Sequence, residues 1–481
     1  MDCQDNKFTS IVTKEDIRIK PIQGPPISRG VDKVLYTCKS LNPESFEVAR
    51  KTIRIVSDNG YTSDSDNPVK AETDELEQLD HQHCVRFVDA YKADSADQGR
   101  RIYILTSPVA ETDLGALLES VLSQCKPNEI PSLFRCLING LNYIHGKGTV
   151  HMDVKPSNIL LLRGHVYFTD FGAAVKGPKP GDRITERGVP RTRTEAYCAP
   201  EVEAGHQPQT SADIFSLGAV FLECLTVCCD PGYFKRFKGA YEGGDHDDEF
   251  SWAGCHAEVL EKAGQNVDKK NSGSWSKFKS MLLLCQLMMS PIGSQRPSAS
   301  ALFQCWTYAD CLGLPKSLCS SEECRSVTTF QNLDEALQEA LVAGHWLAAE
   351  LLCHAGADVN TRWNVQGHAS WDGTGTLLHL AASQGNTRFL TFLLDQGIGV
   401  NEADSRGSTP LYIAVGNGDE DMINALLERK PKINAVNDRL KTPLDVANGE
   451  KRRSIISLLQ REGAVRGDMV CDEDSAKACR G

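Results

Sequence analysis

Three short stretches of this chain bring acidic, amide and basic side chains close together in sequence. His151–Asn158 is HMDVKPSN, Asp170–Gly172 is DFG, and Ala199–Glu201 is APE. The first two stretches supply carboxylates and an amide, the hard oxygen ligands that Mg²⁺ prefers. Such groups suit chemistry on phosphates, whose negative charge must be neutralised during transfer.

The order and spacing of the three stretches resemble the catalytic loop, the metal-binding D-F-G motif and the A-P-E motif of eukaryotic protein kinases. The resemblance extends from the first predicted strands to the helix after Arg296. It implies that Asp153 accepts the proton of a substrate hydroxyl and that Lys155 reaches the transferred phosphoryl group. It also implies that Asn158 and Asp170 hold the magnesium ions that bridge the phosphates of ATP.

A lysine upstream completes this resemblance. Val48–Lys51 is VARK, which is similar to the V-A-x-K strand whose lysine contacts the α- and β-phosphates of ATP. The family pairs this lysine with a glutamate on the next helix. Glu72 fits that role best because the spacing to the following turn matches, and Glu75 is the alternative.

The phosphate-binding loop departs from the family pattern. Between Pro25 and Lys51 the only glycine is Gly30, whereas three glycines usually let backbone amides approach the phosphates. Gly30 is therefore a candidate cofactor-binding residue, with an ordinary turn as an equal alternative. The missing glycines also motivate a second hypothesis, a pseudokinase that binds nucleotide without catalysis.

The catalytic loop contains H-M-D where the family usually has H-R-D. That arginine often pairs with a phosphorylated residue of the activation loop, a contact that Met152 cannot make. We therefore expect activity to be independent of activation-loop phosphorylation through this route. Lys155 and Thr194 resemble residues of the serine/threonine branch of the family. Asp213 and the pair formed by Glu201 and Arg296 resemble structural residues.

A repeat occupies the C-terminal part. Thr376, Thr409 and Thr442 each begin a T-x-L-x-x-A string, and the two intervals, 409 − 376 and 442 − 409, are both 33 residues. A 33-residue period with this core is the signature of ankyrin repeats. An earlier unit ends at Asn360, and about eight additional residues are predicted in the finger that follows it. The repeats are expected to recruit a protein partner or, alternatively, only to stabilise the kinase.

Composition excludes several other classes. The chain has 52 basic and 64 acidic residues, a net charge of -12, which argues against a general nucleic-acid binder. No run approaches the length of a membrane helix and the N-terminus does not resemble a secretory signal, so we expect a cytoplasmic or nuclear protein without membrane insertion. The 18 cysteines form no CxxC pair, which disfavours zinc, and His81, His83 and Cys84 are interpreted as a turn.

The sequence thus predicts an α+β bilobal protein kinase fold followed by an all-α ankyrin-repeat solenoid. The predicted function is ATP- and Mg²⁺-dependent phosphorylation of serine or threonine in protein substrates, with a small-molecule kinase as a remote alternative. Its predicted segments are a tail (1–28), the kinase domain (29–310), a linker (311–330), the repeats (331–467) and a C-terminal tail (468–481).

Overall fold

The computed structural model divides the chain into two compact units, Met1–Phe330 and Gln331–Gly481. The residues that it describes are 17–21, 31–38, 42–54, 68–95, 99–124, 130–177, 195–235, 251–269, 278–317, 319, 321, 324, 328–365 and 373–470.

The first unit opens with a five-stranded antiparallel sheet of order β1-β2-β3-β5-β4. Its strands are β1 Ile17–Pro21, β2 Val31–Cys38, β3 Asn42–Arg54, β4 Arg86–Ser95 and β5 Gly99–Ser107. Because side chains alternate along a strand, Val34 and Tyr36 of β2 lie on the same face as Val48 of β3. These three side chains pack with Val88 and Leu105 into the core of the sheet.

Helix α1, Pro68–Gln78, lies between β3 and β4 in the chain. The helix and the residue that follows it bury Glu72, Glu75, Leu76 and Leu79. Residues spaced three and four apart share one face of a helix, so the two carboxylates point inward with the two leucines. This burial brings a glutamate within reach of the sheet.

A helical region follows the sheet. Its helices are α2 Leu114–Gln124, α3 Phe134–Gly146, α4 Pro200–Glu203, α5 Thr210–Cys229, α6 Trp252–Lys269, α7 Lys279–Met288, α8 Ala299–Cys305 and α9 Ala309–Leu312. Among the described helices, α5 alone is long and apolar enough to cross a membrane, but 94% of its apolar stretch is buried inside the protein. The apolar composition of α5 is therefore explained by its position in the core of this region.

Short strands hold the loops that carry the chemical motifs. They are β6 Thr112–Asp113, β7 Thr149–Val150, β8 Ile159–Leu162, β9 His165–Phe168 and β10 Val175–Lys176. β6, β8 and β9 form an antiparallel sheet and β7 pairs with β10. Residues 151–158 therefore connect β7 to β8, and residues 169–174 connect β9 to β10.

The described part of the predicted linker packs on the first unit. Leu314, Cys319 and Cys324 are buried. The indole Nε1 of Trp306 donates to the carbonyl of Pro315 at 3.1 Å. The polar composition of 311–330 conceals these inward-facing side chains, which belong to the first compact unit.

The second unit is a series of helix pairs. The helices are α10 Leu333–Val342, α11 Trp346–Ala355, α12 Leu377–Ser383, α13 Thr387–Asp395, α14 Pro410–Asn417, α15 Glu420–Leu427, α16 Pro443–Gly449 and α17 Arg453–Arg461. The predicted insertion contains two short antiparallel strands, β11 Trp363–Val365 and β12 Gly373–Gly375. The α+β unit followed by a helical solenoid agrees with the predicted fold class.

The repeated threonines directly precede the first helix of each of the last three pairs. Thr409 and Thr442 accept a hydrogen bond at their side chains from the backbone of the third helical residue, an N-cap that satisfies a terminal N–H group. At the first repeat His379 accepts from the Thr376 N–H through Nδ1 at 3.1 Å, and its Nε2 donates to the Ser408 carbonyl at 3.0 Å. This imidazole joins two successive repeats.

Candidate active site

The ammonium group of Lys51 links β3, α1 and the DFG segment. Its Nζ lies 2.7 Å from Oε1 of Glu72 and 2.7 Å from Oδ1 of Asp170. The alternative partner Glu75 instead accepts hydrogen bonds from Thr149 at 2.9 Å and from Lys176 at 2.7 Å. The structure therefore brings together Lys51, Glu72 and Asp170 and places Glu75 in a separate interaction.

Burial and charge compete in this group of three residues. Burial by itself lowers the pKa of Lys51, but the nearby Glu72 and Asp170 carboxylates outweigh it and raise that pKa. Burial raises the pKa of Asp170, but Lys51 more than offsets this and holds it below its usual value. For Glu72 burial dominates and raises the pKa. The ion pair thus keeps Lys51 positive and Asp170 negative in a partly enclosed site.

Close packing explains the glycine of the DFG segment. A Cβ atom at Gly172 would lie 3.2 Å from Oε2 of Glu72 and 3.4 Å from Oδ1 of Asp170. A larger residue would therefore push against both carboxylates. Asp170 itself has φ of 62°, a left-handed backbone that non-glycine residues adopt uncommonly and that often marks a functional site.

The catalytic-loop residues converge on Asp153. Lys155 Nζ donates to Oδ2 of Asp153 at 2.7 Å, and Asn158 Nδ2 donates to both the carbonyl and Oδ2 of Asp153 at 2.8 Å. The side chains of Asp153 and Lys155 are 11% and 21% exposed, so they lie near the surface without pointing freely into solvent. This arrangement orients a carboxylate with a lysine beside it.

Asp213 of α5 supports the backbone of this loop. Its carboxylate accepts from the N–H groups of His151 at 2.7 Å and Met152 at 2.8 Å, and it lies 2.9 Å from Nε2 of His145. Met152 has φ of 68°, an unfavourable conformation for a residue with a side chain. The two backbone hydrogen bonds hold that strained turn in place, as expected for the residue predicted to brace the loop.

Backbone contacts join the catalytic loop to the DFG segment. The Thr169 N–H donates to the carbonyl of Asn158 at 3.1 Å. The imidazole Nε2 of His151 donates to the carbonyl of Thr169 at 3.1 Å. The positive charge of Lys155 also contributes to the low pKa of Asp170. Asp153, Asn158 and Asp170 therefore belong to one site.

The side chains predicted to hold magnesium fit a hard cation. Asn158 uses its Nδ2 group in the two hydrogen bonds to Asp153, which assigns its Oδ1 as the remaining acceptor. Asp170 is ionised beside Lys51, and its side chain is 41% exposed. An amide oxygen and a carboxylate on adjoining loops form a donor set that Mg²⁺ accepts together with water and phosphate oxygens.

Glu201 and Arg296 form the predicted structural pair. Nη1 and Nη2 of Arg296 contact the two carboxylate oxygens of Glu201 at 2.6 and 2.8 Å. The Arg296 side chain is fully buried, and Nη1 also donates to the carbonyl of Ser211 at 2.9 Å. This bidentate contact fixes the APE segment against the start of α5.

Two predicted residues lie outside the described residues. Gly30 belongs to the connection between β1 and β2, residues 22–30, and Thr194 precedes the described residues 195–197. Both remain predictions. The strand bounds assign a second glycine, Gly24, to the same connection, together with Pro25 and Pro26. The sequence alone does not locate the end of β1, so it does not place Gly24 in this connection.

Sequence reasoning missed a second group of reactive side chains. His83, Cys136, Cys319 and Cys324 are all buried, and their potential ligand atoms lie within 4.8 Å of one another. Of the three residues interpreted as a turn, His81, His83 and Cys84, only His83 belongs to this group of potential ligands among the described residues. The available signal was the C-x₄-C spacing of Cys319 and Cys324, which falls within the range found in zinc sites.

Comparison with known proteins places this site in a family. Residues 27–305, more than half of the chain, match the protein kinase domain, and residues 365–465 match ankyrin repeats in three copies. Cyclin-dependent kinase D-1 from Arabidopsis thaliana is 30% identical over 152 residues, 31% of this chain and 36% of the relative.

Two further relatives have similar coverage. Mitogen-activated protein kinase 10 from Arabidopsis thaliana is 32% identical over 203 residues, 42% of this chain and 49% of the relative. Serine/threonine-protein kinase nekl-2 from Caenorhabditis elegans is 25% identical over 207 residues, 42% of this chain and 56% of the relative. The alignments thus span between 36% and 56% of the length of these relatives. The matched domain and the assembled Lys51, Asp153 and Asp170 site show that the chain belongs to the protein kinase family and carries ankyrin repeats in addition.

Proposed function

We propose that this chain is an active serine/threonine protein kinase that transfers the γ-phosphoryl group of ATP to protein hydroxyls. The observation that carries the proposal is the simultaneous presence of the Lys51 contacts to Glu72 and Asp170 and the Asp153 contacts to Lys155 and Asn158. A scaffold released from catalysis has no need to keep every member of this set. The relatives named as cyclin-dependent, mitogen-activated or serine/threonine kinases support the substrate class.

Each side chain has a role that follows from its contacts. Asp153 accepts the proton of the substrate hydroxyl and directs its oxygen toward the phosphorus, because two hydrogen bonds hold its carboxylate in one orientation. Lys155 is adjacent and stabilises the negative charge of the transferred group. Lys51, held by two carboxylates, contacts the nonreacting phosphates of ATP.

Asn158 and Asp170 would hold magnesium. When bound, the metal neutralises phosphate charge and fixes the geometry of the triphosphate. Asp213 contributes indirectly by keeping the backbone at His151 and Met152 in the position that orients Asp153.

Phosphoryl transfer to a generic protein substrate tests the proposal directly. We expect Asp153→Asn to lower kcat by about 100-fold or more, the scale of a lost general base. Asp80→Asn is the matched control because the side chain of Asp80 is 83% exposed and forms a surface ion pair with Arg86. Equal and negligible transfer by wild type, control and Asp153→Asn, with nucleotide still bound, would contradict the proposal.

A pseudokinase scaffold is the second candidate function. It is favoured by the β1–β2 connection, which contains Gly24 and Gly30 where the family usually has three glycines, and by the adjacent prolines 25 and 26. Fewer glycines restrict the approach of backbone amides to phosphates. Isothermal titration with ATP and Mg²⁺ alongside the transfer assay distinguishes the two functions, since the scaffold binds nucleotide without turnover.

The ankyrin unit is proposed to recruit a protein partner or substrate. Leu440 supports this role: it is 58% exposed and has φ of 57° in the turn between Asn437 and Lys441. Turn fingers of this kind are common binding surfaces of repeat proteins. Truncation after Phe330, the end of the first unit, tests it: recruitment predicts loss of partner capture with retained transfer to a generic substrate. Loss of soluble expression supports the stabilising alternative instead.

The proposed location is the cytosol or nucleus. The cysteines whose side chains the structure describes form no disulfide, and many of them are buried, a pattern suited to a reducing compartment. Fluorescence microscopy of the tagged chain tests this proposal, and accumulation in the secretory pathway would contradict it.

A further inference from the structure

A buried cluster of one histidine and three cysteines lies in the first unit, apart from the residues assigned to catalysis. His83 follows α1, Cys136 lies in α3, and Cys319 and Cys324 follow α9. Their side chains are 0%, 1%, 1% and 0% exposed. Three distant parts of the chain thus bring four soft or borderline metal ligands to one enclosed point.

We propose that His83, Cys136, Cys319 and Cys324 bind one structural Zn²⁺ ion. Structural zinc sites are tetrahedral and use four protein ligands, with Cys₃His among the common sets. Zn–S bonds of about 2.3 Å place sulfur atoms of a tetrahedron about 3.8 Å apart. Ligand atoms that already lie within 4.8 Å of one another need little movement to reach that geometry.

The histidine is oriented as a metal ligand. Its Nδ1 lies 3.0 Å from the carbonyl of Val166, which can only accept, so Nδ1 carries the hydrogen. A metal-bound histidine is the neutral ring, which presents the lone pair of Nε2 in this orientation, and Nε2 lies 3.2 Å from Sγ of Cys324. A backbone carbonyl that fixes the tautomer from behind is the usual outer support of a zinc-bound histidine.

Polar groups around the sulfurs suit thiolates. Asn139 Nδ2 donates toward Sγ of Cys324 at 3.7 Å, and the Ser317 hydroxyl lies 3.1 Å from Sγ of Cys136. The Ser321 hydroxyl lies 3.3 Å from Sγ of Cys319. Hydrogen bonds to ligand sulfur are typical of zinc–thiolate centres and reduce the charge on the sulfur.

Charge balance gives an independent argument. Binding of Zn²⁺ releases three thiol protons to solvent, so the ion and three thiolates together carry one negative charge. Arg135 precedes Cys136 in α3 and is only 3% exposed, so a buried positive charge lies next to one of the proposed ligands. One buried positive charge beside a centre of one negative charge makes the assembly neutral, which lowers the cost of burying both.

The ion would anchor the segment that leads out of the kinase unit. Cys319 and Cys324 both belong to the predicted linker, whereas Cys136 lies in a core helix and His83 contacts the strand β9. Coordination therefore ties the end of the first unit to its interior. This role is structural and does not depend on whether the chain transfers phosphate.

Metal analysis of the full chain tests the proposal. Protein expressed with added Zn²⁺ and purified under reducing conditions is expected to contain about one zinc per chain. Cys319→Ser and Cys324→Ser are expected to lower zinc affinity at least tenfold. The matched control Cys229→Ser, a partly exposed thiol at the end of α5, should retain full zinc content.

X-ray absorption of the wild-type protein gives an assay that does not depend on variants folding. Three sulfur neighbours at about 2.3 Å and one nitrogen at about 2.0 Å are expected. A shell of oxygen and nitrogen alone, zinc content near zero, or zinc content in both serine variants equal to that of wild type would overturn the proposal. A Cys319–Cys324 disulfide found by mass spectrometry in protein expressed with added Zn²⁺ and purified under reducing conditions would overturn it as well.

Discussion

Glu72, and not its neighbour Glu75, forms the ion pair with Lys51: the ammonium nitrogen lies 2.7 Å from Oε1 of Glu72, whereas Glu75 contacts Lys176 at the same distance. The two glutamates lie three residues apart on one buried face of α1. Their different partners allow the importance of the Lys51 contact to be measured with a matched pair of variants.

We predict that Glu72→Gln lowers kcat/KM on the order of 100-fold, because Lys51 loses one of the two carboxylates that position it. Glu75→Gln, which disturbs only the Lys176 and Thr149 contacts, should change kcat/KM less than about threefold. Steady-state assays with melting curves of both proteins provide the check. Equal effects of the two substitutions would remove the special role of Glu72.

Removal of phosphate from the activation segment is predicted to leave activity largely intact. Met152 occupies the arginine position of the catalytic loop and has no charge to pair with a phosphate, while Asp213 already holds its backbone N–H at 2.8 Å. Phosphatase-treated and untreated protein should differ in kcat less than about tenfold. A larger loss traced to one residue of the segment contradicts this expectation.

The Glu201–Arg296 pair is predicted to stabilise the kinase unit. Glu201→Gln removes the charge that neutralises the fully buried Arg296, a loss that typically costs about 3 kcal/mol. Glu203→Gln changes an exposed residue of the same short helix and should cost less than about 0.5 kcal/mol. Chemical denaturation, followed by a signal from the kinase unit, gives the free energies of unfolding of the Glu201→Gln and Glu203→Gln variants for comparison.

The first described 33-residue repeat is predicted to lose stability in mild acid. Burial lowers the pKa of His379, so the unfolded chain binds a proton more readily than the folded repeat. The stabilising contribution is therefore complete above about pH 6.5, the ordinary value for histidine, and falls as the pH decreases toward the folded-state pKa. Hydrogen exchange of α12 in the full chain, corrected for intrinsic rates, measures this loss.

His379→Gln is the control for that experiment. Glutamine keeps an amide donor for the Ser408 carbonyl but does not titrate, so the variant should be less sensitive to acid than wild type. Because glutamine replaces the buried imidazole, the variant should also be less stable than wild type near neutral pH. An unchanged pH dependence in this variant would assign the effect to other groups.

The sequence predicted the residues whose roles depend on short motifs. Asp153, Lys155 and Asn158 lie within six positions, so local spacing alone determines that their side chains meet. Lys51 and Glu72 are farther apart, but the strand and helix that carry them have clear patterns. The 33-residue period similarly predicted the helix pairs, because each pair needs a neighbour to cover its apolar face.

The histidine–cysteine cluster was not predictable in the same way. Cys136 is one of several apolar-looking residues of a buried helix, and His83 is separated from Cys324 by 241 positions. Tertiary packing brings these ligands together, so the sequence contained only one weak indication of the cluster, the short spacing of Cys319 and Cys324. The polar residues between those two cysteines favoured a linker, and this interpretation concealed their burial.

The backbone of His83 makes a second connection. Its carbonyl accepts from Phe168 N–H at 2.8 Å, and the Phe168 carbonyl in turn accepts from Val85 N–H at 3.0 Å. Phe168 stands two positions before Asp170, so the aspartate of the nucleotide site is only a short rigid stretch of chain away from the imidazole. The loop that carries the proposed zinc ligand His83 is therefore hydrogen-bonded to the strand that runs directly into the DFG segment, so one short strand supports both the cluster and Asp170.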